Sequence, residues 1–210
     1  MITVALSKGN MLADTLGLFA KAGYGNGRIP AESRRLVFVD RVHDLTFLIV
    51  RPTDVPTYVE YGAADVGVAG KDVLLEQDRD VYEPLDLRIG GCRISVAAPA
   101  GADRRANHAK TLRVATKYPR ITERYFNQQG MAVEIIKLYG SIELAPLVGL
   151  ADRIVDLVSS GQTLKAHDLV EVAVIARSTA RLIVNRASLK LKHERLTEMI
   201  ARLKRSRPRA

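Results

Sequence analysis

Short apolar runs alternate along the chain with stretches whose apolar residues recur at helical spacing, the pattern of a sheet covered by helices. Residues 4–6 read as a strand. Leu12, Leu16, Phe19 and Ala20 then fall on one helical face, which Gly23 ends. Residues 36–40 and 45–50 read as two strands joined by a short turn. Asp54 is placed to cap a short helix ending at Gly62, and residues 65–69 form another strand. Residues 93–98 form a strand that leads into a charged loop at 101–108.

Beyond that loop the pattern repeats. The first half runs Val4-Ala5-Leu6-Ser7-Lys8, a helix ending near Gly23, a strand, a helix and Gly62-Ala63-Ala64-Asp65. The second runs Val114-Ala115-Thr116-Lys117, a helix ending near Gly130, a strand over 133–138, a helix from Ser141 and Gly149-Leu150-Ala151-Asp152. Each half reads strand, hydroxyl, Lys, helix, Gly, strand, helix, Gly-x-Ala-Asp, strand, and the first carries an extra hairpin strand. Chance likeness of two βαβ units is the competing explanation. The expected fold class is α/β, with two βαβ lobes around a cleft. Residues 1–92 with 179–210 form one lobe and 93–178 the other. The strand near Arg93 crosses to the second lobe, and 171–175 with 181–184 bring the chain back. Ligands of such sheets bind outside the carboxyl ends of the strands.

Composition narrows the class. At 210 residues, 47% hydrophobic and 26% charged, the chain is an ordinary globular protein, not a disordered or fibrous one. Its longest clean apolar run, 45–50, falls far short of the roughly 20 residues of a membrane span. The N-terminus opens into strand-like sequence without a basic region and long apolar run, so no secretory signal is expected. A single cysteine, Cys92, suits a reducing cytoplasm and is expected buried near a strand start. The net charge of +9 first suggests nucleic acid. Yet residues 181–210 hold ten Lys/Arg against two Glu, while the rest nearly balances. With no Trp and few other aromatics for base stacking, no nucleic-acid partner is expected. The basic end reads as a solvated helix and frayed tail, with contact to an anionic partner as the alternative.

The most informative chemistry lies at 153–164. A buried strand carrying Asp156 runs into Ser159, Ser160, Gly161, Gln162 and Thr163. A phosphate monoester needs several donors converging on one anion, and such a turn supplies backbone N–H groups and hydroxyls together. Asp156 is placed to take ribose hydroxyls. An ordinary capped turn uses the same residues. Lys8 follows a strand, either facing the cleft as a phosphate partner or lying as a surface lysine beside a cap. Arg51 ends an apolar strand, either as a site cation or as a structural partner for Asp54 or the helix dipole. Gly70-Lys71-Asp72 sits just past another strand end, and Arg34 or Arg35 faces the cleft. The histidines His43, His108, His167 and His193 lack metal-ligand spacing, and there is neither a nucleophile elbow nor a P-loop.

Taken together, Val50-Arg51-Pro52-Thr53-Asp54-Val55-Pro56-Thr57-Tyr58-Val59, residues 62–72, Arg113-Val114-Ala115-Thr116-Lys117-Tyr118-Pro119, Gly140-Ser141-Ile142-Glu143-Leu144-Ala145-Pro146-Leu147 and Ser160-Gly161-Gln162-Thr163-Leu164 resemble the ATP phosphoribosyltransferases, in order and over nearly the whole chain. The resemblance implies lobes like those of type II periplasmic binding proteins. It also implies Mg²⁺-dependent transfer of a phosphoribosyl group from phosphoribosyl pyrophosphate to N1 of ATP, with no metal ligands from the protein itself. Asp156, Ser159, Ser160, Gly161, Gln162 and Thr163 become the phosphoribosyl pyrophosphate loop. Lys8, Arg34 and Arg51 become the catalytic cations. Lys8, Gly9, Gly70, Asp72, Lys117 and Tyr118 become ATP contacts. Asn10 stands where the family usually has arginine. The length resembles the short form, which implies a homodimer within a hetero-oligomer, regulated by a subunit resembling histidyl-tRNA synthetase. A non-catalytic two-lobed anion binder is the rival reading.

Overall fold

The computed structural model describes residues 1–25, 33–101 and 111–209. The chain divides into two compact units, Met1–Gly91 with Thr179–Ala210, and Cys92–Ser178. Within the first unit the chain forms β1 (Ile2–Ser7), α1 (Met11–Lys21), β2 (Val37–Asp40), β3 (Leu45–Val50), α2 (Val55–Glu60), β4 (Val66–Gly70), α3 (Lys71–Gln77) and β5 (Tyr82–Asp86). The second unit contributes β6 (Cys92–Pro99), β7 (Leu112–Thr116), α4 (Pro119–Gln128), β8 (Val133–Lys137), α5 (Leu144–Leu147), β9 (Arg153–Val158), α6 (Gln162–Ala166) and β10 (Leu169–Ser178). The chain then returns to the first unit as β11 (Ala180–Val184), α7 (Arg186–Leu191) and α8 (His193–Ser206).

The two sheets share one plan. The first is ordered β2-β3-β1-β4-β11-β5 and the second β8-β7-β9-β6-β10. In each, the first strand of the repeat lies parallel between the next two, and a strand from the crossover closes antiparallel on the third. The extra strand expected in the first half is β2, antiparallel on β3. The Gly-x-Ala-Asp repeat has a structural reason. Asp65 accepts the Thr3 N–H at 2.8 Å, and Asp152 accepts the Arg113 N–H at 2.9 Å. In return the Asp65 and Asp152 N–H groups each donate to the carbonyl of the same residue, both at 2.9 Å. Each aspartate thus ties the start of the third strand to the start of the first.

Alternation along β1 serves two faces. Val4 and Leu6 join a core with Phe19, Leu45, Leu182, Leu196 and Met199. Ala5 faces the other side with Val55, Val59 and Ile183. There α2 lies so close to β4 that a Cβ on Gly67 would sit 2.7 Å from both Val55 and Val59 methyls. The second unit's core gathers Ile142, Ala145, Ile154, Val158, Leu164 and Leu169.

Several expectations need correcting. The basic C-terminal segment is not a solvated helix with a frayed tail. Leu196, Met199 and Leu203 of α8 are fully buried, and Arg207 donates to the Asp86 carbonyl at 2.7 Å. Asp54 stands at the start of α2 without a side-chain cap bond; its carboxylate takes the Thr53 hydroxyl instead. Cys92 does open β6, but it is only partly buried. Apart from Gly101, the charged loop expected at 101–108, with His108, lies outside the described residues.

Candidate active site

In the first unit, the parallel strands β1, β3 and β4 end side by side. Ser7 pairs with Val50, and the Lys8 N–H donates to the Val50 carbonyl at 2.8 Å, so Lys8 and Arg51 leave neighbouring strand ends together. Gly70 ends β4 on the same edge. Because β2 runs antiparallel to β3, with the Ile49 N–H on the Leu36 carbonyl at 2.8 Å, the segment holding Arg34 and Arg35 starts there as well. Lys8, Gly9, Arg34 and Arg51 are all exposed. Gly9 turns the chain at a φ of +110°, open to glycine and strained for other residues.

Among the described residues, Lys8, Arg34 and Arg51 have no carboxylate partner, whereas Lys71, Arg79 and Arg181 are each bound to glutamate. Asp54 forms no ion pair with Arg51 among the described residues; it meets Arg51 through the backbone, its N–H on the Arg51 carbonyl at 2.9 Å. Three cations without a carboxylate partner among the described residues, on one sheet edge, form an anion-facing surface. Asp72 is a different matter. It is buried, held by partners, and folded so tightly against Gly70 that a Cβ there would collide with its carboxylate. Gly70 is thus needed for Asp72, and Asp72 is not presented as an ATP contact.

In the second unit the same end of the sheet carries Lys117, Asp156 and the 159–163 turn. The Thr116 hydroxyl, fully buried, donates to the Val155 carbonyl at 2.7 Å and accepts the Tyr118 N–H at 2.9 Å, fixing the exit from β7. The Lys117 ammonium then lies 3.0 Å from Asp156 Oδ1 and 5.6 Å over the Tyr118 ring. Tyr118 itself is 7% exposed, so it serves as a platform under Lys117 and offers no free face to a nucleotide. The same Asp156 oxygen accepts the Leu157 N–H at 2.7 Å, and across the ladder on β6 stands Ser95, whose buried hydroxyl has no partner among the described residues.

Val158 is buried, and Ser159 and Ser160 emerge into solvent. Gly161, at φ +80° and ψ 4°, starts α6 in the left-handed region and brings no side-chain cap. Among the described residues the first-turn N–H groups thus have no cap from the N-cap side chain, and that of Gln162 reaches Ser160 Oγ at 3.4 Å. Gln162 and Thr163 are exposed beside them. Small side chains, an open turn and free donors are what a phosphate monoester needs.

Sequence reasoning missed one pair. Arg93 binds Glu171 through Nε, at 2.7 and 3.0 Å to the two oxygens, and donates through Nη1 to the Ser159 carbonyl at 2.9 Å. The only signal was a lone cation and a lone carboxylate in otherwise apolar strand segments.

A family model for HisG, ATP phosphoribosyltransferase, matches residues 51–205. The chain belongs to the ATP phosphoribosyltransferase family. It is 58% identical over 206 residues to the ATP phosphoribosyltransferase of Syntrophotalea carbinolica, covering 97% of this chain and 94% of that protein. Against the Geobacter metallireducens ATP phosphoribosyltransferase it is 56% identical over 201 residues, 95% of each. Among solved structures, the ATP phosphoribosyl transferase (HisG:HisZ) complex from Thermotoga maritima contains a chain that matches with a TM-score of 0.84 at 33% identity, over 98% of both chains. Family membership and the two α/β lobes match what the motifs implied.

Proposed function

We infer that this chain transfers the phosphoribosyl group of phosphoribosyl pyrophosphate to N1 of ATP, giving phosphoribosyl-ATP and pyrophosphate, the first step of histidine biosynthesis. One observation carries the reading within the family. The second unit presents an open small-residue turn beside a carboxylate, and the first presents three cations without a carboxylate partner among the described residues, both at carboxyl ends of parallel strands. Two anion-facing sites suit two phosphorylated substrates. A non-catalytic binder needs only one, and relatives at 56–58% identity are named as transferases.

In the proposed mechanism the 159–163 turn holds the donor's 5′-phosphate, and Asp156, released by Lys117, takes ribose hydroxyls. Lys8, Arg34 and Arg51 are the cations offered to ATP phosphates or to pyrophosphate. N1 of neutral adenine carries no proton, so attack on the anomeric carbon needs no strong base. The barrier falls through positioning and through cations at the leaving group. Mg²⁺ would be carried on pyrophosphate oxygens and shield the charge that develops there. The oxygen donors of the site, the Asp156 carboxylate and the hydroxyls of Ser159, Ser160 and Thr163, are of the kind that suits a hard cation such as Mg²⁺.

The purified chain, given both substrates and Mg²⁺, is expected to generate the product's absorbance, and to fail when Mg²⁺ is chelated. Binding of phosphoribosyl pyrophosphate without any product would restore the rival reading. Thr163→Ala should weaken phosphoribosyl pyrophosphate by roughly 10- to 150-fold, the loss of one hydrogen bond to a charged group. Steady-state titration of each substrate checks this; equal weakening of ATP would remove the loop's assignment.

We propose further that the protein works in the cytoplasm, as a short-form subunit within a hetero-oligomer. Among the described residues no helix is long and apolar enough to cross a membrane. The near-complete match to a chain of a HisG:HisZ complex supports a HisZ-like regulatory partner. Inhibition by histidine needs a second site whose ligand favours one of two states. If that site is the partner's, the isolated chain is active and insensitive to histidine. Inhibition of the lone chain at low micromolar histidine would contradict this.

A further inference from the structure

We propose that Arg93, braced by Glu171, is the positioning residue of the phosphoribosyl pyrophosphate loop. The proposal rests on the reading of 159–163 as that loop. Arg93 stands on β6 opposite Val158, the last residue of β9. One guanidinium joins three segments. Its Nε is held by both oxygens of Glu171 on β10. Its Nη1 donates to the Ser159 carbonyl in the turn, and its Nη2 comes within 4.0 Å of where a Cβ of Gly161 would stand. Both side chains are part-buried, 31% and 25% exposed, so the Arg93–Glu171 pair is better shielded than a fully exposed ion pair, while the bond to the Ser159 carbonyl lies at the surface.

The consequence follows from peptide planarity. The Ser159 carbonyl and the Ser160 N–H belong to one trans peptide unit and point in opposite directions. Drawing the carbonyl onto Arg93 therefore turns the Ser160 N–H away from Arg93, toward the open side of the turn. Gly161, in its left-handed conformation, carries the next peptide on into α6. The planar fork is needed, because a lysine ammonium has no rigid pair of donors to span Glu171 and Ser159 together. Glu171 neutralises the arginine, so Arg93 acts through the turn and not as an anion ligand.

The test compares wild type with Arg93→Met, Arg93→Lys and Glu171→Gln in steady-state titrations of each substrate, calorimetric titration with phosphoribosyl pyrophosphate, and thermal melting. Arg93→Met is expected to raise KM and Kd for phosphoribosyl pyrophosphate at least tenfold while KM for ATP stays within about twofold. Arg93→Lys should fall between it and wild type. Glu171→Gln, which keeps Arg93 and its bond to Ser159, should show the same selectivity in milder form, and it carries the test if Arg93→Met does not fold. A lowered melting temperature with unchanged constants, or KM rising equally for both substrates, would overturn the proposal. Wild-type turnover separates the two claims: an inactive wild type sinks the catalytic reading, while the calorimetric comparison still decides the brace.

Discussion

Replacing Asp65 by alanine is expected to destabilise the first unit by about 2–4 kcal/mol, from buried partners left without an acceptor. Asp65 is 6% exposed and holds three groups. It accepts the Thr3 N–H at 2.8 Å, the Ser188 hydroxyl at 2.7 Å and the Lys192 ammonium at 2.8 Å. The first two lose their acceptor inside the protein, whereas Lys192, 37% exposed, returns to water. For a chain of this size the loss corresponds to a melting temperature lower by roughly 5–15 °C. Burial by itself raises the Asp65 carboxyl, but the hydrogen bonds from Lys192, Ser188 and Thr3 and the Lys192 charge outweigh it and hold the group below its ordinary value. A depressed folded-state value means the stabilisation is present above the unfolded value, near 4, and is lost as pH falls through the folded one. The gap between wild type and Asp65→Ala in urea midpoint should therefore be full at pH 7 and shrink in acid. A gap independent of pH, or no gap at pH 7, would show that this network does not hold the unit. The repeat-related Asp152, 40% exposed, should give a smaller effect on substitution.

That comparison shows why the repeat was legible. Gly-x-Ala-Asp recurs because each half needs a carboxylate at the same sheet corner, and a backbone requirement leaves a local sequence trace. Strand ends were legible for a similar reason: apolar runs stop where Lys8, Arg51, Lys117 and Asp156 begin or sit. The Arg93–Glu171 brace left no such trace. Its partners are 78 residues apart, and they meet only because β10 folds back on β6 through two register shifts. The burial of Asp72 and Tyr118 was hidden too, since a residue just past a strand end can turn inward or outward. The docking of α8 was missed because its three buried residues lie among many charges, which composition alone counts as solvated.

Replacing Arg51 by alanine is expected to lower kcat by about 10²- to 10³-fold, the loss typical of one preorganised donor at developing charge. Arg51 is the strongest candidate for that role on three grounds. Its strand neighbour is fixed, because the Lys8 N–H is bonded to the Val50 carbonyl. Its own carbonyl accepts the Asp54 N–H at 2.9 Å, so the turn that presents it is closed. Its guanidinium is exposed and has no carboxylate partner among the described residues, so its charge is available to a ligand. Charge on the departing pyrophosphate grows as the bond to the anomeric carbon breaks. A cation meeting it there stabilises the transition state more than the bound substrate, and its removal appears in kcat. A rise confined to KM for ATP would make Arg51 a ground-state contact for ATP. Unchanged kinetics with a lowered melting temperature would return it to a structural role. Because Arg51 is exposed and, among the described residues, bonded through its backbone alone, the alanine variant should melt close to wild type, so a fall in kcat would report on chemistry and not on folding.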